Sequence, residues 1–391
     1  MQIKIIMSLF LLIFLSASNV NSEENFKNYK KYSFTKTKFK LDVVATELNH
    51  PWALTFIDNK HLVVTEKSGG LYKININTGN KQAIKHEIQH IGYDGGSISY
   101  SQGGLLDAHF NNQDGYIYFT YSHDFKRLQV DGKSRKDSST AIARGRLSNN
   151  QIIDLEILLI AEPKLQTNKH FGSRLSIKDD MLFASFGERD KGMISQDPTK
   201  HPGSIIRIKT NGDIPKDNPK FNGKETWLPE IYTIGVRNPQ GITISPHDGE
   251  VYFSNHGPRG GDHIGMVKAG ANYGWKDIAW GGSEYYGFSI GDTPFKKEYY
   301  KPVITWVPSM AISSIQFYEG DVFPDWEGDL IVSSLSGKSL IRLDYEDNKI
   351  IGEEIIFNGK IGRIRDFEID VKGNIYLVSD SPKSKLWKLS K

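Results

Sequence analysis

The sequence predicts an all-β chain folded as a six-bladed β-propeller of four-stranded antiparallel blades, and three observations carry that prediction. A turn of Asp, Gly or Asn followed by four to six β-branched or aromatic residues recurs six times. Each copy is flanked on both sides by another short apolar segment. A strand-like stretch at 40–47, KLDVVATE, precedes the first copy and belongs to no unit of its own. Short strands bounded by turn residues, repeating at about the length of a propeller blade, read as radial sheets stacked around a channel.

The blades follow in chain order, with inner, second and third strands given first. Blade 1 reads WALTFI (52–57), NKHLVVTEK (59–67) and GLYKIN (70–75), with an outer strand expected over 82–88. Blade 2 reads GLLDAHF (104–110), DGYIYFTYS (114–122) and ARGRLS (143–148), with 153–160 outside. Blade 3 has SRLSIK (173–178), DDMLFASFG (179–187) and SIIRIK (204–209), then 230–234. Blade 4 has QGITIS (240–245), DGEVYFSNHG (248–257) and HIGMVK (263–268), then 302–306. Blade 5 has SSIQFY (313–318), EGDLIVSSL (327–335) and SLIRLD (339–344), then 353–357. Blade 6 has RDFEID (365–370), KGNIYLVSD (372–380) and KLWKLS (385–390), and its outer strand is expected from 40–47, closing the ring. Longer connections are expected at 122–141, 188–203, 210–229 and 269–301, the first as a solvated loop or a protruding hairpin. No long run of helical period follows the first twenty or so residues, so helices should be few. A β-sandwich with a second β domain is the alternative; six copies in register argue against it.

Composition bounds the function. The 391 residues are 38% hydrophobic and 24% charged, ordinary for a folded protein with a sizeable core. The net charge of +3 comes from dispersed Lys and Arg, which gives no basis for nucleic-acid binding. With no cysteine, disulfides, thiolate metal sites and cysteine nucleophiles are excluded. Residues 1–22 combine Lys4, an apolar run from Ile5 to Leu15 and small polar residues ending at Ser22. This reads as a cleaved signal peptide, because a bilayer span needs about 20 apolar residues. Residues 23–391 are then expected to form one catalytic domain, periplasmic or secreted, with no stable membrane insertion.

In a propeller the inner strands start at one face and the second strands return to it, so residues at those ends meet at one mouth. The strand starts bring His50, Trp52, Gln102, His170, Arg174, Arg237, Asn238, Ser309, Arg363 and Arg365. The second-strand exits add Glu66, Lys67, Glu188, Arg189, the turn 256–259 with Asp262, Ser336 and Asp380. That is a cationic pocket with a few carboxylates and histidines. A lone histidine such as His170 or His50 is as readily a structural hydrogen-bonding residue as a base. Arg363 and Arg365 alternate along one strand and so share a face, where two like charges call for an anion between them. The carbonyls of the Gly257–Pro258 turn suit a hard cation of the calcium type. Tyr273, Trp275, Trp280 and Trp306 are either core or stacking planes for a sugar or planar cofactor.

The segments LNHPWALTF, QGGLLDAHF, HFGSRLSI, RNPQGITISPHDGEVYFSNHGPRGGD, ANYGW, DVFPDWEGDL and GRIRDFEIDVKGNIYLVSD resemble, in order, those of the soluble pyrroloquinoline quinone (PQQ)-dependent sugar dehydrogenases, in particular the aldose sugar dehydrogenase branch. The resemblance covers essentially the whole chain after 1–22 and implies a six-bladed propeller that oxidises aldoses to lactones with PQQ and a calcium ion, passing electrons to an acceptor the sequence does not name. It implies that His170 takes the proton of the anomeric hydroxyl, that Arg237 stabilises charge at the quinone oxygens, and that Glu188 supports His170 where the family has an aspartate. Gln102, Asn238 and Asp262 match cofactor-side or substrate-side polar groups. Gly257 and Pro258 match the calcium turn, and Arg363 and Arg365 the pair that holds the cofactor's carboxylates. The cofactor lysine of the glucose-oxidising branch would fall near Ser336 or Gly337, with Lys338 displaced from it. A calcium-dependent lactonase and a non-enzymatic binding propeller are the other readings. Paired arginines argue against the first, since a neutral lactone does not need them.

Overall fold

The computed structural model of the chain describes residues 33–90, 101–124, 128–130, 133–135, 137–219 and 227–391. The segment 1–22 expected as a signal peptide lies outside the described residues. The chain is all-β: six antiparallel sheets of four principal strands form the blades of a propeller. Helix among the described residues is limited to short 3-10 turns such as Gly192–Gln196 and Pro324–Trp326, and no helix there is long and apolar enough to cross a membrane.

From the channel outward, blade 1 consists of Pro51–Asp58, His61–Glu66, Leu71–Asn75 and Lys81–Ala83. Blade 2 consists of Leu105–Asn111, Tyr116–Asp124, Ser138–Ser148 and Gln151–Ile160. Blade 3 has Gly172–Lys178, Met181–Phe186, Ser204–Lys209 and Ile231–Ile234. Blade 4 has Pro239–Ile244, Val251–Asn255, Asp262–Met266 and Ile304–Trp306. Blade 5 has Ile312–Phe317, Leu330–Ser334, Ser339–Glu346 and Lys349–Asn358. Blade 6 has Ile364–Ile369, Ile375–Ser379 and Ser384–Ser390, and its fourth strand is Lys40–Leu48, paired antiparallel with the third from Lys40 opposite Ser390 to Leu48 opposite Ser384.

Three details depart from the strands expected from sequence. The outer strand of blade 1 is only Lys81–Ala83, after which Lys85 bridges in parallel to Gln151 of blade 2. In blade 2 the second and third strands run on into the 122–141 connection, with Asp124 opposite Ser138, and a hairpin, one of the two forms expected there, pairs Leu128–Val130 with Lys133–Arg135. Blades 3 and 5 each gain a fifth, parallel strand, Ala271–Asn272 and Ser33–Phe34 respectively. An outer strand presents unpaired N–H and C=O groups, and a short added strand covers them.

The core is divided among the blade interfaces. A second strand is sandwiched between two neighbours, and successive side chains point to opposite faces. Ile117 and Phe119 therefore pack with Val63 and Leu71 of blade 1, while Tyr118 between them packs with Leu175 and Ala184 of blade 3. This is why the repeat reads as a nearly continuous apolar run rather than an alternating one. At the closure Ala45 and Leu48 pack with Leu54 and Leu62 of blade 1 and with Tyr376 and Leu386 of blade 6. Fully burying one such leucine contributes about 1.5–3 kcal/mol.

The channel interior holds a buried cation. Arg174, expected at the mouth, instead lies within the channel, where Nη1 contacts Asp107 at 3.0 Å and Asp366 at 3.1 Å and Nε donates to the Gln240 carbonyl at 3.1 Å. Its guanidinium lies 4.4 Å from the Trp52 ring centre. The other oxygens of the two aspartates accept from the backbone: Asp107 from Leu175 N and Asp366 from Leu54 N. The residue starts the third inner strand, but the local register shift between Gly172 and Leu175 turns it inward.

Deleting Lys40–Glu47 should abolish cooperative unfolding and compact elution, because it removes the closing strand; a compact, cooperatively melting deletion variant would refute ring closure. Arg174→Met strands two buried carboxylates without their cation, and the expected loss is about 3–5 kcal/mol in urea unfolding. A loss under about 1 kcal/mol would show that the channel tolerates the unpaired acids.

Candidate active site at the channel mouth

All six inner strands carry a register shift against their second strands near the mouth: between Pro51 and Ala53, Leu105 and Ala108, Gly172 and Leu175, Pro239 and Gly241, Ile312 and Ile315, and Ile364 and Asp366. Bulges free the preceding residues from the pleat and re-aim their side chains. A hydroxyl of the second strand satisfies the freed groups. Thr65, Thr120 and Ser185 accept from Ala53 N, Asp107 N and Arg174 N, and each donates to a carbonyl of the next blade, Leu106, Ser173 and Pro239. Ser254 donates to Ser313 of blade 5 in the same way. These residues form no part of the expected mouth, although Thr or Ser stands at this repeat position in five of the six copies, Val378 being the exception.

Two adjoining cavities open at the mouth, of about 330 and 580 Å³, sharing Gln102, Asn238, His256, Tyr285 and Ala311. The smaller holds His170, Arg237, Gly257 and Pro258; the larger holds His50, Lys67, Gln240, Arg363, Arg365 and Asp380. Of the ten residues singled out from sequence as catalytic, cofactor-binding or metal-binding, eight line one or both cavities. Glu188 and Asp262 stand behind the wall.

His170 sits in the left-handed region at φ 51°, with its backbone N–H on Gln102 Oε1 at 2.7 Å. Its Nδ1 is 2.6 Å from Glu188 Oε1, so the longer side chain spans the gap an aspartate would have had to fill. Glu188 Oε2 accepts from the backbone N–H groups of Lys191 and Gly192, which fixes the carboxylate. Only glycine fits between the two residues' strands, since a Cβ on Gly187 would lie 2.1 Å from the His170 carbonyl oxygen. Glu188 is 2% exposed and its carboxyl pKa is nevertheless lowered: burial pushes it up, but the His170 hydrogen bond and charge and the backbone donors outweigh that. Burial and the nearby Arg237 lower the His170 pKa, against the opposing pull of Glu188. With Nδ1–H committed to Glu188, the neutral ring keeps a lone pair on Nε2.

Arg237 and Asn238 are clamped by one side chain, since both backbone N–H groups donate to Asn255 Oδ1, at 3.0 and 2.9 Å. The Arg237 guanidinium lies over Trp275, 5.3 Å from the ring centre, and donates to the His256 and Gly257 carbonyls. It makes no ion pair among the described residues. Asn238 Oδ1 accepts from Gly172 N and Gln240 Nε2. Across the larger cavity Asp380 meets Arg365 Nη2 at 2.9 Å, His50 Nδ1 at 2.7 Å and Lys67 Nζ at 3.3 Å. Arg363 lines the same cavity with no ion pair among the described residues.

Asp262 accepts from Gly257 N, Ser309 Oγ and Met310 N, bracing the 256–259 turn, and burial raises its pKa to about 6. Arg189, expected at the mouth, is a structural clamp: it bonds carbonyls of Ser138, Thr167 and Lys169 and stacks on Phe171. Glu66 caps Asn49 N. Tyr273, Trp280 and Trp306 are buried core, and the exposed aromatic of the mouth is Tyr285, whose loop carried no repeat signal to place it. Asn255 and Gln240 were read only as strand residues, though their amides position the site.

A profile described as Glucose / Sorbosone dehydrogenase matches residues 48–388. The chain is 33% identical over 361 residues to aldose sugar dehydrogenase YliI of Escherichia coli K12, covering 90% of this chain and 92% of that protein. The crystal structure of the apo form of the soluble E. coli aldose sugar dehydrogenase superposes with a TM-score of 0.81 at 32% identity, over 90% of this chain and 99% of that one. At 22% identity, the PQQ-bound aldose sugar dehydrogenase of Streptomyces coelicolor shares the fold with a TM-score of 0.70, over 90% and 98% of the two chains. The chain thus belongs to the glucose/sorbosone dehydrogenase family of sugar oxidoreductases.

Proposed function

We propose that the protein oxidises aldoses at the anomeric carbon to lactones with PQQ and a calcium ion, handing the electrons to a separate acceptor. The observation that carries this reading is the pairing of a Glu188-oriented imidazole with cavity walls where cations outnumber the one carboxylate, Asp380. A base needs the first; a polycarboxylate cofactor needs the second. The aldose sugar dehydrogenase of E. coli supports the substrate class, and the PQQ-bound one of S. coelicolor supports the cofactor.

The donors present fit both groups. Buried Nε of Arg365 and Nε2 of His256 have no hydrogen-bond partner among the described residues, and both residues line the larger cavity. On this reading Arg363 and Arg365 hold carboxylates of PQQ, with Gln102 and Asn238 as further polar contacts. The Pro258 carbonyl accepts no hydrogen bond among the described residues, and the Gly257 carbonyl has only Arg237 at 3.2 Å. Two carbonyls supply part of the six to eight oxygens calcium takes, leaving the rest to water and cofactor. Asp262 would act through the turn it braces. Bound PQQ supplies the hydride acceptor, and calcium a Lewis acid beside it.

The chain's own part is proton handling and charge. His170 Nε2 takes the proton of the anomeric hydroxyl, leaving the oxygen to form the lactone carbonyl. Glu188 holds the ring and stabilises its cation as the proton arrives. Arg237 lies where negative charge builds and, being buried and held by carbonyls, needs no reorganisation to meet it. The same reading takes 23–391 as one catalytic domain, exported to the periplasm or beyond after cleavage of residues 1–22.

His170→Ala should lose activity by a factor of about 10² to 10⁴ while retaining PQQ and calcium, with loading measured in the same sample. Near wild-type turnover by a loaded His170→Ala enzyme would sink the assignment. Because the His170 pKa is lowered in the fold, kcat/KM should hold from neutral pH down to below 6.5 and then fall as the ring protonates. Glu188→Gln removes a charge that raises this pKa, so its acid limb should move to lower pH beneath a reduced plateau. A limb moving upward, or an unmoved His170 titration by NMR, would contradict the coupling.

A further inference from the structure

We propose that Lys67 is a third cationic anchor of the anion site, drawn from blade 1 and facing the arginines of blade 6. The inference rests on the PQQ reading above and assigns a contact that reading leaves open. Lys67 follows directly on the strand His61–Glu66, and its backbone N–H donates to the His50 carbonyl, fixing where the side chain leaves the blade. The residue is 6% exposed and lines the larger cavity together with Arg363 and Arg365.

Charge counting shows what the cavity requires. Lys67, Arg363 and Arg365 carry three positive charges, and Asp380 is the carboxylate that lines the cavity with them. Its two oxygens are already divided among Arg365, His50 and Lys67. One positive charge therefore stays uncompensated among the largely buried Lys67, Arg365 and Asp380, where the cost is high unless an anion enters, and the exposed Arg363 adds a second at the same cavity. A single carboxylate leaves the site one charge short; a ligand with two or more carboxylates balances it. Lys67 is drawn toward Asp380 from 3.3 Å, longer than a good charge-assisted hydrogen bond, so its ammonium has donors to spare for an incoming carboxylate. A lysine retained only as the counter-ion of Asp380 has less to explain it, because Arg365 and His50 already satisfy that acid.

The test is PQQ affinity of the full chain prepared without cofactor, read by quenching of tryptophan emission with calcium chloride present. Lys67→Met keeps the length of the side chain and removes its charge; it should bind PQQ about tenfold to a hundredfold more weakly. Lys67→Arg should stay much closer to wild type. PQQ trimethyl ester, which lacks the charges, should bind weakly to wild type and lose little further in Lys67→Met. Should Lys67→Met fail to fold, Lys67→Gln, able to hydrogen-bond Asp380, serves in its place. Unchanged PQQ affinity in a folded, uncharged variant overturns the role of Lys67 while leaving the cofactor reading intact. Failure of the wild-type protein to bind PQQ at all overturns that reading itself.

Discussion

One buried guanidinium holds the inner ring together. Arg174 comes from blade 3, meets Asp107 of blade 2 and Asp366 of blade 6, bonds a carbonyl of blade 4 and stacks on Trp52 of blade 1. Five of the six inner strands thus meet at one cation. Charges this deep are costly to separate, so the pairs are set by geometry rather than by solvent competition. Directly above, Trp52 and Arg365 form the floor of the larger cavity, their centres 5.8 Å apart. The register of the channel and the position of the cofactor-side cations are therefore mechanically linked.

The mouth is built by repeating one local irregularity six times. A bulge at the start of each inner strand releases the preceding residue from sheet geometry, and in blades 1 to 3 a hydroxyl on the second strand repairs the hydrogen bonding. Rigid strands hold the side chains while the bulges aim them. Each blade then contributes different chemistry from an equivalent place: an imidazole from blade 3, an arginine and an amide from blade 4, two arginines from blade 6. The carboxylates are kept behind or beside these groups, so the cavities present cations and amides to whatever enters.

The two halves of the site are tuned in opposite senses. On one side Glu188 is buried and fixed by backbone donors, and its only side-chain partner among the described residues is His170. That arrangement orients a neutral base without exposing a carboxylate to the ligand. On the other side positive charge exceeds negative, and Asp380 serves three partners at once. Arg237 lies between them, depressing the basicity of His170 while remaining free of any ion pair among the described residues.

The sequence by itself determined the propeller. Six apolar runs in register can all be buried only if each is flanked by another sheet, and a leftover strand at 40–47 has nowhere to pair except at the closure. The same periodicity put His170, Arg237, Asn238, Arg363 and Arg365 at one mouth, because strand direction alone decides which end of a strand faces which way. What the tertiary structure decided depends on single-residue register and on loops. Arg174 at an inner-strand start and Arg189 at a second-strand exit are both expected at the mouth, yet a one-residue bulge turns the first into the channel and carbonyls from neighbouring segments claim the second. Tyr285 belongs to a long connection with no period to place it. The reach of Glu188 to His170 depended on how closely the two segments approach at Gly187, a closeness that no spacing along the chain encodes.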